Sequence, residues 1–198
     1  MKRFNFLRMF LVVALSFFAI GTWSVDADAF PITYIFEGTG VSGVFNDTEF
    51  NAGSFKVAIF GDTNNATTDA LGPINSNMPG TITLVAPEIG FNSGSFLDPL
   101  FVFVDPALEL VGFGSDVLDS DLLDMFAPGQ GLTTYDLKSF FGPIPGSLTF
   151  AADMDLNIGL LSIEDAGALT FAAVPEPGTL LLLGIGLVGI VGCRRKIK

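Results

Sequence analysis

The chain of 198 residues contains no histidine, one cysteine and one tryptophan. Without histidine, a Ser-His-Asp triad, a Cys-His pair and the common zinc sites cannot be built. The single cysteine, Cys193, excludes an intramolecular disulfide. Trp23 lies in an N-terminal apolar segment, so the rest of the chain lacks the tryptophan on which sugar-binding modules usually stack pyranose rings. These absences predict a protein that is not an enzyme and needs no cofactor.

Positive charge is scarce between residues 30 and 174. This segment contains eighteen acidic residues but only Lys56 and Lys138, which gives it a formal charge of −16. Nucleic acid and anionic membrane surfaces are therefore poor partners, because phosphate binding requires the opposite sign. Cations, or a hydrated polysaccharide matrix bridged by cations, remain open as partners.

The N-terminal 29 residues have the three parts of a secretory signal peptide. A basic start (Lys2, Arg3, Arg8) precedes an apolar run from Met9 to Ile20. Ala27 and Ala29 then form a small-x-small cleavage site, so signal peptidase would leave Phe30 as the first mature residue. A retained N-terminal anchor helix is the alternative. The sequence thus predicts a signal peptide helix in residues 1–29 and an exported domain in residues 30–174.

Residues 175–198 also have three parts in a fixed order. They are the rigid triplet Pro175-Glu176-Pro177, an uncharged apolar run over 179–193, and a basic tail over 194–198. At about 1.5 Å per residue, the apolar run spans roughly 22 Å as a helix, which is short of a hydrocarbon core of about 30 Å. A buried core helix is the alternative, but the basic tail favours a short transmembrane helix whose cations stay cytoplasmic.

This order of triplet, glycine-containing apolar helix and basic end resembles the PEP-CTERM sorting signal of Gram-negative bacteria. The resemblance implies transient residence in the inner membrane until an exosortase, a membrane protease, processes the chain near Pro175, Glu176 and Pro177. It further implies that Arg194, Arg195 and Lys196 act as the stop-transfer anchor. It also implies delivery to the cell surface or exterior, and many such proteins belong to strains that make exopolysaccharide. A role in an exopolysaccharide or biofilm matrix is therefore expected.

The exported segment has the pattern of an all-β domain. Short runs of β-forming residues alternate with clusters of glycine, proline, asparagine and aspartate, including turns expected at 61–65, 76–80 and 142–146. The pattern predicts an antiparallel β-sandwich or jelly roll of about nine strands. The strands are expected at Ile32–Phe36, Gly53–Phe60, Thr81–Val85, Leu100–Val104, Leu108–Phe113, Thr133–Phe140, Ser147–Ala151, Leu156–Ile163 and Ala168–Ala173.

The segment Ser115–Phe126 is a possible exception to the strand pattern. Ser115 could cap a short amphipathic helix, so a short helix or a turn that closes one end of the sandwich is expected, and a strand fits nearly as well. The segment also contains the densest acidic cluster, Asp116, Asp119, Asp121 and Asp124. Carboxylates are calcium ligands, but the glycine turn and the distal glutamate of a calcium loop are missing. A solvated acidic face is the simpler interpretation, and a calcium site is the alternative.

The patterns together predict a non-enzymatic protein of the cell surface or extracellular matrix. A polysaccharide- or calcium-binding module is the alternative function. A glycoside hydrolase using two of the glutamates is a third hypothesis, because such enzymes need two facing carboxylates.

Overall fold

The computed structural model describes residues 30–176, which form twelve β-strands and two short 3₁₀ turns. The turns are Thr63–Asn65 and Leu132–Thr134. The strands are β1 Pro31–Phe45, β2 Thr48–Asp62, β3 Ala66–Thr68, β4 Pro73–Met78, β5 Gly80–Ala86, β6 Gly90–Ser95, β7 Leu100–Asp105, β8 Leu110–Ser115, β9 Ser120–Phe126, β10 Phe141–Ala151, β11 Met154–Leu156 and β12 Gly159–Pro175.

All twelve strands belong to one antiparallel sheet. Its order is β3-β4-β7-β8-β9-β10-β12-β1-β2-β5-β6, and β11 pairs with β12 beside this path. Strand β10 joins the two halves of the sheet, since its first part pairs with β12 and its second part pairs with β9. A bridge between Phe96 and Leu156, with a 3.2 Å bond from Leu97 N–H to the Asp155 carbonyl, pins the end of β6 near β11. The sheet is therefore curled.

The long strands β1, β2 and β12 form the centre of the sheet. Along the start of β1, buried Ile32, Tyr34 and Phe36 alternate with more accessible Thr33, Ile35 and Glu37. On the accessible face, Glu37 pairs with Lys56 of β2 at 2.8 Å. The alternation predicted from the sequence therefore separates an inner apolar face from an outer face.

The core lies where the inner faces of the two halves meet. The ring of Phe36 in β1 lies 5.1 Å from that of Phe113 in β8 and 4.9 Å from that of Phe171 in β12. Phe96 approaches Phe113 edge-on at 5.8 Å. Tilted and edge-on arrangements are those that aromatic rings prefer. Phe36, Phe113 and Phe171 are almost completely buried and form the centre of the core.

The expected all-β class is confirmed. Of the alternatives for Ser115–Phe126, the short helix is wrong, whereas the turn and the strand each describe part of the segment. Residues 116–119 form a turn, and β9 follows from Ser120. A register shift opposite Phe113 and Gly114 adds Leu122 as an extra residue, so Leu122 and Leu123 are both buried. This bulge breaks the period of two and imitates a helical pattern. Ser115 does act as a cap, but of a turn, because its Oγ accepts a 3.2 Å bond from Leu118 N–H.

Two further predictions about local structure are wrong. The strand expected at Thr133–Phe140 is a 3₁₀ turn and a loop, in which Leu137 is buried with a φ of 61°. The turn expected at 142–146 is instead part of β10, where a register shift between Phe141 and Ile144 accommodates Pro143. The turn expected at 76–80 overlaps the end of β4 and the start of β5. The predicted strands also missed β3, β4 and β6 and covered only Leu156 of β11, whereas β9 was predicted as the strand alternative for Ser115–Phe126.

The core contains one buried polar network. The Tyr34 hydroxyl donates to the Leu137 carbonyl at 2.7 Å and accepts from Asn75 Nδ2 at 2.9 Å. The same Nδ2 donates to the Asp62 carbonyl at 3.0 Å. Burial raises the pKa of Tyr34 to about 12, so the hydroxyl stays protonated at physiological pH. The network joins β1, β4, the end of β2 and the loop that precedes β10.

We expect Tyr34→Phe to destabilise the domain by about 2 kcal/mol, because it leaves the Leu137 carbonyl and Asn75 Nδ2 with unmet hydrogen bonds in the core. The melting temperature should fall by roughly 5 °C. Thermal unfolding followed by circular dichroism measures this. The matched control is Tyr135→Phe, because the Tyr135 hydroxyl lies outside this network and donates a longer, part-buried bond of 3.2 Å to the Ser139 carbonyl. Equal losses in the two variants would contradict the structural role of the network.

Candidate functional site

The end of the sheet where β1 starts and β12 stops brings the predicted mature N-terminus next to the Pro-Glu-Pro triplet. Ile32 pairs with Pro175, and Glu176 N–H donates to the Pro31 carbonyl at 2.9 Å. On the other side of β1, Phe30 N–H donates to Thr63 Oγ1 at 3.0 Å, and Thr63 N–H donates to the Phe30 carbonyl at 3.1 Å. The start of the domain is thus held between residue 63 and residue 176.

Pro31 weakens the β1–β12 ladder at this point. It has no N–H, so it cannot return a bond to the Glu176 carbonyl, although its own carbonyl accepts from Glu176 N–H. Proline is tolerated at the first residue of a strand. The bond from Glu176 N–H to the Pro31 carbonyl is the last β1–β12 backbone bond among the described residues.

The triplet emerges accessible from the sheet. Pro175 and Glu176 are exposed, whereas Ala173 two residues earlier is completely buried. The pairing of β10 with β12 begins at Phe141 and Ala173, so β10 does not pair with residues 174–176. One side of this short segment is bonded to β1 and the other side is open. A protease that binds extended chains can approach from the open side.

The other predicted sorting and processing residues lie outside the described residues. These are Ala27 and Ala29 of the signal peptide site, Pro177 of the triplet, and Arg194, Arg195 and Lys196 of the basic tail. The predicted signal peptide helix and the predicted transmembrane helix at 179–193 lie outside them too. From residue 30 to residue 176 there is no helix long and apolar enough to cross a membrane.

The four aspartates of the predicted acidic cluster separate around the turn between β8 and β9. Asp116 accepts a hydrogen bond from the backbone N–H of Asn77 in β4. Asp119 and Asp121 line a pocket of about 250 Å³. Asp124 lies farther along β9, with Oδ1 buried and without a hydrogen-bond partner among the described residues. Within residues 30–176, no group of three or more histidine, cysteine or acidic side chains is placed to hold a metal ion.

The pocket has a phenylalanine wall that the sequence analysis missed. Phe101 and Phe103 of β7, whose rings lie 6.0 Å apart, pair across the strands with Gly114 and Gly112 of β8. A Cβ at Gly112 would lie 2.7 Å from the Phe103 ring and 2.7 Å from Asp124 Oδ1. The two glycines therefore leave the space that the rings and this carboxylate occupy. The sequence signal was Phe-x-Phe in one strand opposite Gly-x-Gly in the next.

Burial and, to a lesser extent, the negative charge of Asp121 together raise the pKa of Asp124 to about 6. Burial also raises the pKa of Asp121. This part of the sheet therefore holds two carboxylates that ionise less readily than a free aspartate. Protonation removes the energetic cost of burying the negative charge, and a bound cation would offset the same cost.

The comparison with protein families found one match. The family model described as PEP-CTERM protein-sorting motif matches residues 173–196. The match begins inside β12, so the last three residues of that strand belong both to the sheet and to the motif. No curated protein and no solved structure matches the chain significantly.

The match and the geometry together define an all-β domain whose last strand leads into a protein-sorting motif. The chain carries the PEP-CTERM motif, which supports an exported protein that an exosortase sorts.

We expect Asp124→Asn to stabilise the domain at pH 7.5 by about 1 kcal/mol, a modest value because the carboxylate is partly exposed. The folded state holds this proton more tightly than the unfolded state, whose aspartate has a pKa of about 3.9. The stability cost of Asp124 is therefore absent below about pH 4, grows as pH rises toward 6, and is complete above 6. The advantage of the variant should follow the same course in urea unfolding at several pH values.

Glu164→Gln is the control for Asp124→Asn, because it removes one negative charge from an exposed position of β12. It should change stability by less than about 0.5 kcal/mol at every pH. If both variants gain the same stability at pH 7.5, the gain comes from lower net charge and not from the environment of Asp124.

Proposed function

We propose that this chain is a non-enzymatic protein of the cell surface or extracellular matrix. Its C-terminal segment holds it in the inner membrane until an exosortase processes it at Pro175-Glu176-Pro177. The folded domain is then released or transferred outward, where it associates with an exopolysaccharide or biofilm matrix. Signal peptidase is the second processing partner, at Ala29 and Phe30.

The observation that carries this proposal is the position of the triplet at the exposed end of the last strand. Glu176 is bonded to Pro31 at the edge of the folded domain, and the segment that follows begins with Pro177. A cut at or after Glu176 would leave the whole of β12 within the sheet. Processing is therefore compatible with a domain that has already folded.

The environments of three glutamates support a non-enzymatic role. Glu37 pairs with Lys56, and Glu88 accepts a 3.2 Å bond from Asn51 N–H. Glu109 accepts a 2.8 Å bond from Gly129 N–H. Each of these carboxylates thus has a structural partner, whereas a glycosidase needs two that face each other across a sugar.

A calcium- or polysaccharide-binding module is the second candidate function. The observation that favours it is the pocket in which Asp119 and Asp121 lie near the rings of Phe101 and Phe103. Carboxylate oxygens suit calcium or sugar hydroxyls, and aromatic rings suit the apolar faces of sugars. The tilt of 47° between the rings gives them different orientations, so a sugar would stack on one of them at most.

We expect replacement of Pro175, Glu176 and Pro177 by alanines to retain the protein in the inner membrane, because the protease loses its recognition motif. Cell fractionation and the intact mass of each form measure this. The unaltered chain should yield a released form that starts at Phe30 and ends near Pro175. Normal release of the alanine variant would refute the proposed role of the triplet.

The chain offers a matched control in Pro87-Glu88, a Pro-Glu pair that is exposed in the turn between β5 and β6. Alanines at these two positions should leave processing unchanged. Retention of this variant as well would show that misfolding, and not the loss of the motif, causes retention.

For the matrix role, we expect millimolar calcium to leave the melting temperature of the domain unchanged, because no carboxylate cage is assembled among residues 30–176. Differential scanning calorimetry with calcium, and with magnesium as a control cation, measures this. A calcium-specific rise that disappears in Asp119→Asn and Asp121→Asn but persists in Asp153→Asn would establish the binding module instead.

A further inference from the structure

We infer that the outer face of the sheet beside the sorting motif is a docking surface for the lipid bilayer in which the C-terminal segment is anchored. The inference rests on the proposed function, because it applies to the stage at which the chain is membrane-bound. It names a partner for an apolar surface that lies outside the hydrophobic core.

The patch begins with the row of residues nearest the motif. In β1, Thr33 pairs on one side with Phe60 of β2 and on the other with Val174 of β12. Phe60 is 41% exposed although its neighbour Ile59 is completely buried, so its ring lies on the outer face. Phe140 is 61% exposed and directly precedes Phe141, which pairs with Ala173. Two exposed phenylalanines thus lie at this end of the sheet.

The second row is also apolar. Ile35 pairs with Ala58 and with Ala172, and all three side chains lie half-buried on the outer face. We define the apolar patch as the outer-face residues of these two rows together with Phe140: Thr33, Ile35, Ala58, Phe60, Phe140, Ala172 and Val174.

The third row is polar and ends the patch. Glu37 pairs across the strands with Lys56 and with Thr170, and Lys56 pairs in turn with Thr83. The outer face therefore changes from apolar to polar away from the motif. The inner face has no such gradient, because it is buried throughout β1. Folding alone does not require an apolar strip on this side.

The short length of chain between the apolar patch and the predicted anchor indicates that the partner of the patch is the bilayer. Only Pro177 and Gly178 separate Glu176 from the apolar run that begins at Thr179. Two extended residues span roughly 7 Å, so an inserted run must hold this end of the domain at the membrane surface. Phe30, 58% exposed at the start of β1, lies at the same end. Apolar side chains placed there can enter the boundary between headgroups and acyl chains.

The negative charge of the domain indicates which lipid headgroups it can contact. No acidic side chain belongs to the apolar patch, but Asp62 and Glu176 flank it and the domain as a whole is strongly acidic. Anionic headgroups would repel such a domain, while a zwitterionic surface lets the patch make contact. We therefore assign a zwitterionic leaflet as the partner.

Single tryptophans in the full chain test the inference. Trp23→Phe removes the native tryptophan, and Phe60→Trp or Phe140→Trp adds a reporter at an exposed position of the patch. The chain is inserted in zwitterionic vesicles, and fluorescence is compared with ordinary and brominated acyl chains. We expect both reporters to lose fluorescence at least about twofold in brominated lipid, because docked side chains lie near the acyl boundary.

Phe91→Trp is the matched control. Phe91 is 71% exposed, and it connects through Val85 and Ser54 to Thr39 of β1. Thr39 lies six residues beyond Thr33, or roughly 20 Å along the strand, so the control ring is distant from the anchor. It should keep its fluorescence in brominated lipid.

The outcomes separate this inference from the proposed function. A chain that does not float with the vesicles refutes the membrane anchor, and the docking surface with it. A chain that floats but keeps full fluorescence at all three positions overturns the docking surface alone. Equal quenching at all three also overturns it. Tryptophan emission that shifts with protein concentration but is not quenched would also overturn the docking surface. It would indicate that the patch binds a second copy of the chain.

Discussion

A single sheet has to cover its own apolar face, and the contact between Phe36 and Phe113 is the place where it does so. The described part of the chain has no α-helix to lay over the inner face, so the two halves of the sheet must face each other. The two rings meet at 5.1 Å from opposite halves, with Phe171 beside them. Strand β10 makes the contact possible, because it leaves β12 and continues along β9.

The same closure determines where the sorting motif appears. Strand β12 lies between β1 and β10 in the sheet. Residues 174–176 lie beyond the pairing with β10 and are bonded only to β1. The segment that carries the motif is thus anchored by β1 and open on its other side. Folding of the sheet therefore also places the start of the motif at an exposed strand end.

Much of the fold could be predicted from local sequence. The central strands were found because runs of β-forming residues such as Ile32–Phe36 and Gly53–Phe60 stand between clusters of turn-forming residues. The prediction failed where a tertiary feature changed the period. The bulge at Leu122 made β9 look helical, and β4 was hidden because Asn75 is buried through hydrogen bonds with Tyr34 and the end of β2. Both features arise from contacts with other strands, which the local pattern of residues does not contain.

The sequence by itself determined the sorting motif, because a triplet of fixed chemistry, an apolar run and a basic tail act through their order along the chain. It also determined the class of fold and the acidic character of the domain. Only the tertiary structure decided that Pro31 and Glu176 are neighbours, that Phe101 and Phe103 lie over glycines, and that Phe60 and Val174 share one row of the outer face. The physical reason is that strand register depends on pairing between separate strands, and the β1–β12 pairing joins residues more than a hundred positions apart.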